Sequence, residues 1–85
     1  ARVFHLRTKG GLQEIDVILE GADRRVVAFE IKARATPKLE DTKHLRWLRK
    51  KIGPRLADAV LVTTGRLAYR DEDGIAVVPA ALLGP

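Results

Sequence analysis

Apolar and polar residues alternate most clearly between residues 12 and 34, where two arms flank a short polar loop. Leu12 to Glu20 and Val26 to Arg34 carry apolar residues at their odd positions, which is the period of a half-buried strand. The loop Gly21-Ala22-Asp23-Arg24-Arg25 is rich in turn residues. We therefore predict a β-hairpin whose odd-numbered face packs on the core. Additional apolar residues on the other face predict partial cover there too: Ile18, Val26 and Ala28.

A helix is predicted after this hairpin and ahead of a buried strand. It runs from about Leu39 to Ile52, closed by Gly53-Pro54, with an apolar stripe of Leu45, Leu48 and Ile52. Residues 58–64, DAVLVTT, form a continuous run typical of a buried parallel strand. Strand, helix and strand then make a right-handed βαβ unit.

Two shorter segments complete the predicted elements. Residues 2–8 have the composition of a strand that comes before the hairpin. Residues 67–70 and 75–78 predict a second small hairpin through Asp71-Glu72-Asp73-Gly74. The fold class is therefore α/β, with a mixed sheet.

Composition narrows the class of protein. The 85 residues are 46% hydrophobic, contain no cysteine, and include no apolar run long enough to cross a bilayer, so we expect a cytoplasmic protein without membrane contact. The absence of methionine suggests a piece of a longer protein. A net charge of +5 favours nucleic acid as a partner, although surplus lysines for solubility explain that charge equally well.

The hairpin carries the candidate chemistry. If its strands pair symmetrically about Asp23, Asp16 faces Glu30 and Glu14 faces Lys32, all on one side of the sheet. Opposed carboxylates repel, and a divalent cation between them would convert that repulsion into a binding site. The alternative is a solvated face with cross-strand ion pairs, which leaves the two opposed acids unexplained.

The helix carries a second candidate surface, away from its apolar stripe. Basic side chains around a tryptophan are what a nucleic-acid face would use, with phosphate contacts and base stacking. The alternative is that the tryptophan covers the helix edge or docks on a partner domain. The residues are Lys43, Arg46, Trp47 and Lys50.

Other polar residues predict ordinary structural positions. His5 and His44 have no ligand-like spacing to each other, and we expect them on a strand and on the helix surface. The acidic turn at residues 71–74 lacks the remaining ligands of a calcium loop. No Ser/His/Asp or Cys/His arrangement supports nucleophilic catalysis.

Asp16 followed by Glu30-Ile31-Lys32 resembles the PD-(D/E)xK signature of restriction-endonuclease-like nucleases. The wider pattern consists of Glu14-Ile15-Asp16, residues 27–33 (VAFEIKA), a basic helix and residues 60–65 (VLVTTG). From about Phe4 to Leu83, this pattern resembles a C-terminal nuclease-like domain of unknown function. That domain follows a P-loop ATPase module in many bacterial and archaeal AAA+-type proteins. Ile15 stands where the signature has proline, and no GxxxxGK[ST] motif occurs in these 85 residues.

The resemblance implies a restriction-endonuclease-like core of order βββαβ plus a C-terminal hairpin, with the first helix of that fold missing or upstream of Ala1. Residues 1–85 would be one nuclease-like domain, the C-terminal part of a larger ATPase. Asp16, Glu30 and Lys32 would be catalytic. Asp16, Glu30 and the carbonyl of Ile31 would bind Mg²⁺ or Mn²⁺. Glu14 would contact these ligands without touching the cation, or it would pair with Lys32.

Three functional hypotheses follow. The first is a metal-dependent phosphodiesterase acting on DNA, or a descendant of one. The second is a non-catalytic module that binds nucleic acid or the ATPase module through Trp47 and the basic helix. The third is a structural domain that contributes to assembly.

Overall fold

Six strands form one mixed sheet in the spatial order β1-β2-β3-β4-β6-β5. The structure is a computed structural model and describes residues 1–84. The first three strands are antiparallel neighbours, whereas β4 lies parallel to both β3 and β6. The strands are β1 Arg2–Arg7, β2 Glu14–Glu20, β3 Val26–Ile31, β4 Leu56–Thr63, β5 Tyr69–Arg70 and β6 Ala76–Pro79.

One α-helix connects the parallel strands β3 and β4, as predicted. Helix α1 spans Lys43–Ile52, and the predicted first turn is instead a 3₁₀ turn at Leu39–Thr42. Leu45 and Leu48 are buried and dock α1 on the sheet. Within residues 1–84, no helix has the length and apolar character needed to span a bilayer. The architecture is therefore a mixed α/β fold with one helix across the sheet.

The register of the first hairpin agrees with the predicted symmetry about Asp23. Val17 lies opposite Phe29, and Glu20 lies opposite Val26. Continuing this register by one residue places Asp16 opposite Glu30. The five-residue loop sets that register, because the strands must leave it at matching positions.

The prediction that the odd-numbered face of the hairpin packs on the core is wrong. The more deeply buried residues are even-numbered, namely Ile18, Val26, Ala28 and Glu30, whereas Ile31 is 55% exposed. Helix α1 covers the even face and joins it to the main core cluster. The odd face still carries apolar residues, which form a second, smaller cluster: Val27, Phe29, Val60, Val62, Ala76 and Val78. Both faces are apolar, so alternation alone could not show which one the helix would cover.

An irregularity in β2 explains why Ile15 is also buried. Phe4 pairs with Ile18, but Leu6 pairs with Ile15, so two residues of β2 oppose one residue of β1. This two-against-one count is that of a β-bulge, which breaks the alternation of side chains. Ile15 therefore joins the main cluster beside Ile18. The residues inside the bulge are Asp16 and Val17, which places the candidate site at a distortion of the sheet.

Candidate carboxylate site at the end of strand β3

Asp16 and Glu30, called here the carboxylate pair, meet where β2 and β3 end their ladder. Asp16 lies at the end of β3, where the backbone N–H of Ile31 donates to its Oδ2 at 2.8 Å. Glu30 lies on the helix-covered face and is only 3% exposed. The predicted juxtaposition of these two acids is therefore present in the structure.

Glu30 is held in an unfavourable environment for a charged carboxylate. Burial first, and then the hydrogen bond and charge of Asp16, raise the pKa of Glu30 from an ordinary 4.5 to about 7, against an opposing effect of Lys32. Its Oε2 is buried with no hydrogen-bond partner among residues 1–84. A buried oxygen without a partner is costly unless a proton or a cation occupies it.

Lys32 lies next to the pair, but the predicted ion pair between its side chain and Glu14 is not formed among the described residues. The backbone N–H of Lys32 donates to the carbonyl of Val62 at 2.9 Å, which fixes this residue beyond the end of β3. Glu14 forms its ion pair with Arg7 at 3.3 Å, and no Glu14–Lys32 ion pair occurs in the described chain. The paired residues of β2 and β3 run from Val17 to Glu20 on β2, so Glu14 and Lys32 lie beyond the ladder that joins the two strands.

His44 is a neighbour of the site that its sequence position did not indicate. Its Nδ1 lies 2.7 Å from Oε1 of Gln13 and 3.4 Å from the backbone N of Glu14. Burial first, and then the charges of Lys43 and Lys32, lower the pKa of His44, so its ring is neutral at pH 7. The contact joins residues 31 apart in sequence. No local pattern could have revealed it.

The four residues of the predicted basic face of α1 have different environments in the structure. Trp47 is partly buried against the main cluster, so its ring covers the helix edge as the alternative prediction had it. The guanidinium of Arg46 bonds the carbonyl of Leu39 and the hydroxyl of Thr42. Lys43 and Lys50 are exposed. Only these two lysines remain free to meet a ligand in the way that the pattern predicted.

The donor set of the carboxylate pair suits a hard divalent cation. Carboxylate oxygens without sulfur ligands favour Mg²⁺ or Mn²⁺ over zinc. Across residues 1–84, no cluster of three or more His, Cys, Asp and Glu side chains has the geometry of a metal site. Two carboxylates would therefore need a backbone carbonyl, substrate oxygens or water to complete the coordination, which is how Mg²⁺ is commonly bound.

Comparison with protein families assigns the chain. The model of a domain of unknown function, DUF4143, matches residues 1–83. The chain belongs to this family. No curated protein and no solved structure matches it.

Proposed function

We propose that this DUF4143 domain is a Mg²⁺- or Mn²⁺-dependent phosphodiesterase that acts on DNA. The observation that carries the proposal is Glu30, a carboxyl buried against Asp16 with one oxygen unpartnered among residues 1–84. A solvated hairpin face would leave both acids in water. The mixed sheet, in which β4 is parallel to β3 and β5 pairs antiparallel with β6, supports the proposal because it supplies a β-hairpin followed by a parallel strand beside the carboxylate pair.

Each residue of the site has a task in this proposal. Asp16 and Glu30 would hold the cation, with the carbonyl of Ile31 as a third ligand. When bound, the cation would polarise the phosphate and lower the pKa of an attacking water. The Ile31 N–H fixes one oxygen of Asp16, so the carboxylate is oriented before the ligand arrives. Burial of Glu30 keeps bulk water from competing for its unpartnered oxygen.

Lys32 would act on the substrate rather than on the cation. Its backbone is tied to Val62 on the neighbouring strand, and its charge is close enough to Glu30 to oppose the rise of that pKa. An ammonium at this point stabilises negative charge that develops on the phosphate and orients the attacking water. Lys32 would therefore lower the barrier without contacting the metal.

The test is a Mn²⁺ titration of the 85-residue chain, followed by NMR line broadening. We expect broadening centred on Asp16, Glu30 and Lys32, and its loss in Asp16→Asn, which keeps the size of the side chain but not its charge. Glu72→Gln is the matched control, because Glu72 is exposed in the acidic turn and should not change the broadening at the pair. Broadening confined to residues 71–74, or found nowhere, would contradict the proposal.

A second candidate is a non-catalytic module that binds nucleic acid or an ATPase module of the same chain. The exposed Lys43 and Lys50 on α1 favour it, together with the net charge of +5. This function predicts salt-dependent DNA binding that is unchanged in Asp16→Asn and independent of Mn²⁺. DNA cleavage that requires Mn²⁺ and is lost in Asp16→Asn would instead support the hydrolase.

A further inference from the structure

A cleft of about 220 Å³ opens between the end of β3 and the beginning of α1, next to the carboxylate pair. It has three basic and two acidic side chains, and a neutral imidazole. The lining residues are Lys32, Arg34, Glu40, Asp41, Lys43 and His44. Lys32 is common to this cleft and to the proposed catalytic site, so the two are continuous.

Arg34 presents hydrogen-bond donors that the described chain does not use. Its backbone is fixed, because its N–H donates to the carbonyl of Lys32 at 2.8 Å and its carbonyl accepts from Thr64 N–H at 3.1 Å. Its Nη1 lies 3.6 Å from Oδ1 of Asp41, an ion-pair distance, yet Nη1 is buried and makes no hydrogen bond within residues 1–84. The Arg34 side chain as a whole is 38% exposed, so donors of the guanidinium other than the buried Nη1 are available to phosphate oxygens.

Lys43 and His44 form the opposite wall of the cleft. Lys43 is exposed at the first position of α1 and has no ion-pair partner among the described residues. Lys32, from the end of β3, lines the same cleft as Lys43 and His44 of α1. The cleft therefore concentrates positive charge beside a pair of acids.

The charge balance of the cleft indicates the class of ligand. Lys32, Arg34 and Lys43 supply three positive charges and Glu40 and Asp41 supply two negative charges, which leaves an excess of one. A phosphodiester carries one negative charge and matches this excess. A nucleoside triphosphate carries several negative charges, so its binding would leave the occupied cleft with a net negative charge.

We propose that Arg34 and Lys43 bind a backbone phosphate of DNA, adjacent to the phosphodiester that the carboxylate pair would hydrolyse. This deepens the proposed function and rests on it for the identity of the neighbouring site. It also changes the predicted nucleic-acid surface. In this proposal the DNA backbone passes from Lys32 across Arg34 to Lys43, and it does not follow Arg46 and Trp47.

The test is fluorescence anisotropy with a labelled single-stranded DNA oligonucleotide in EDTA, so that no cation is needed for binding. Lys43→Gln should weaken binding about fivefold at 0.1 M salt and reduce the slope of log K against log salt by about 0.7, the loss of one single-strand phosphate contact. Lys51→Gln is the matched control, because Lys51 is also an exposed lysine of α1 but does not line the cleft. It should bind like the unchanged chain.

Two further variants separate a lost contact from a lost fold. Lys43→Arg should restore binding, since charge is retained at an exposed position. Arg34→Lys should bind more weakly than the unchanged chain, because a lysine cannot present the paired donors of a guanidinium. Far-ultraviolet circular dichroism would verify that each variant is folded. Equal affinities for Lys43→Gln and Lys51→Gln would overturn the proposal.

Competition by ATP at concentrations where inorganic phosphate has no effect would also overturn the phosphate-binding proposal, since the cleft would then be a nucleotide site.

Failure of the phosphodiesterase proposal would give a different combination of results. If Mn²⁺ binds nowhere near Asp16 but Lys43→Gln still weakens DNA binding, the phosphodiesterase proposal fails and the phosphate contact at Lys43 remains supported.

Discussion

Glu30 occupies a position on the buried face of β3, where the other side chains are apolar. Val26 and Ala28, on the same face of β3, are core residues, and Glu30 continues their row at 3% exposure. A buried carboxyl without full hydrogen bonding lowers the stability of the folded chain. Packing alone therefore does not account for a carboxyl at this position of β3, and the proposed cation site would account for it.

The stability of the protein should depend on pH through this residue. The folded pKa of Glu30, about 7, is above the unfolded value of 4.5, so between these values the folded chain retains a proton that the unfolded chain has lost. The free energy of unfolding should then fall as pH rises from about 4.5 to about 7, by roughly 3 kcal/mol in total, and level off above that. Glu30→Gln should remove most of this fall.

Urea denaturation at pH 5 and pH 8 would measure the effect. Glu72→Gln serves as the control, because it removes an exposed acid from a turn and should keep the pH dependence of the unchanged chain. If Glu30→Gln loses as much stability between the two pH values as the unchanged chain does, Glu30 is ionised in the folded state and is not buried beside Asp16 in solution.

At the residue scale, the sequence predicted the acids but not their neighbours. Asp16, Glu30 and Lys32 follow from a spacing within one hairpin, which local rules can treat. His44 reaches the site through Gln13, 31 residues away, and Arg34 faces Asp41 across the connection to α1. Contacts of this kind depend on how elements dock, and no periodicity of the chain encodes them.

At the scale of elements, the segment after β4 packs against the backbone of Arg34 and Ala35, next to the cleft. Thr64 N–H bonds the carbonyl of Arg34, and Gly65 comes next. A Cβ at Gly65 would lie 2.5 Å from the carbonyl oxygen of Ala35, closer than real Cβ contacts. Glycine is therefore required here by the close approach of two backbones rather than by its own turn conformation.

Gly65→Ala should destabilise the protein by about 1–3 kcal/mol, since one of the two backbones must shift to relieve the contact. It should also weaken DNA binding, because the shift displaces Arg34. Gly84→Ala is the control, because a Cβ there would meet nothing within 4 Å. Thermal unfolding of both variants would measure the difference. Equal melting temperatures would show that the segment adjusts freely.

At the scale of the whole molecule, the two faces of the sheet are unequal. Val77 belongs to the main cluster under α1 and is 3% exposed, whereas its neighbour Val78 is only partly buried with the second cluster. Val77→Ala should lower the free energy of unfolding by about 2–3 kcal/mol and Val78→Ala by about 1 kcal/mol. The two variants remove the same atoms from adjacent positions of β6, so their difference reports the packing of each face.

Chemical denaturation of this pair of variants would provide the comparison. Equal losses would mean that both faces are buried to the same degree in solution, which would contradict the placement of α1 as the main cover of the sheet. A larger loss for Val78→Ala would reverse that placement.

Local chemistry by itself determined the strands, the hairpin register and the helix of this protein. Apolar periods, the loop Gly21–Arg25 and the closing Gly53-Pro54 act within a few residues, so the sequence carries them directly. Tertiary structure decided which hairpin face became the core, because both faces are apolar and only the docking of α1 distinguishes them. It also decided the bulge at Asp16 and the cleft at Arg34, since each depends on how neighbouring elements pack together and not on the pattern within one element.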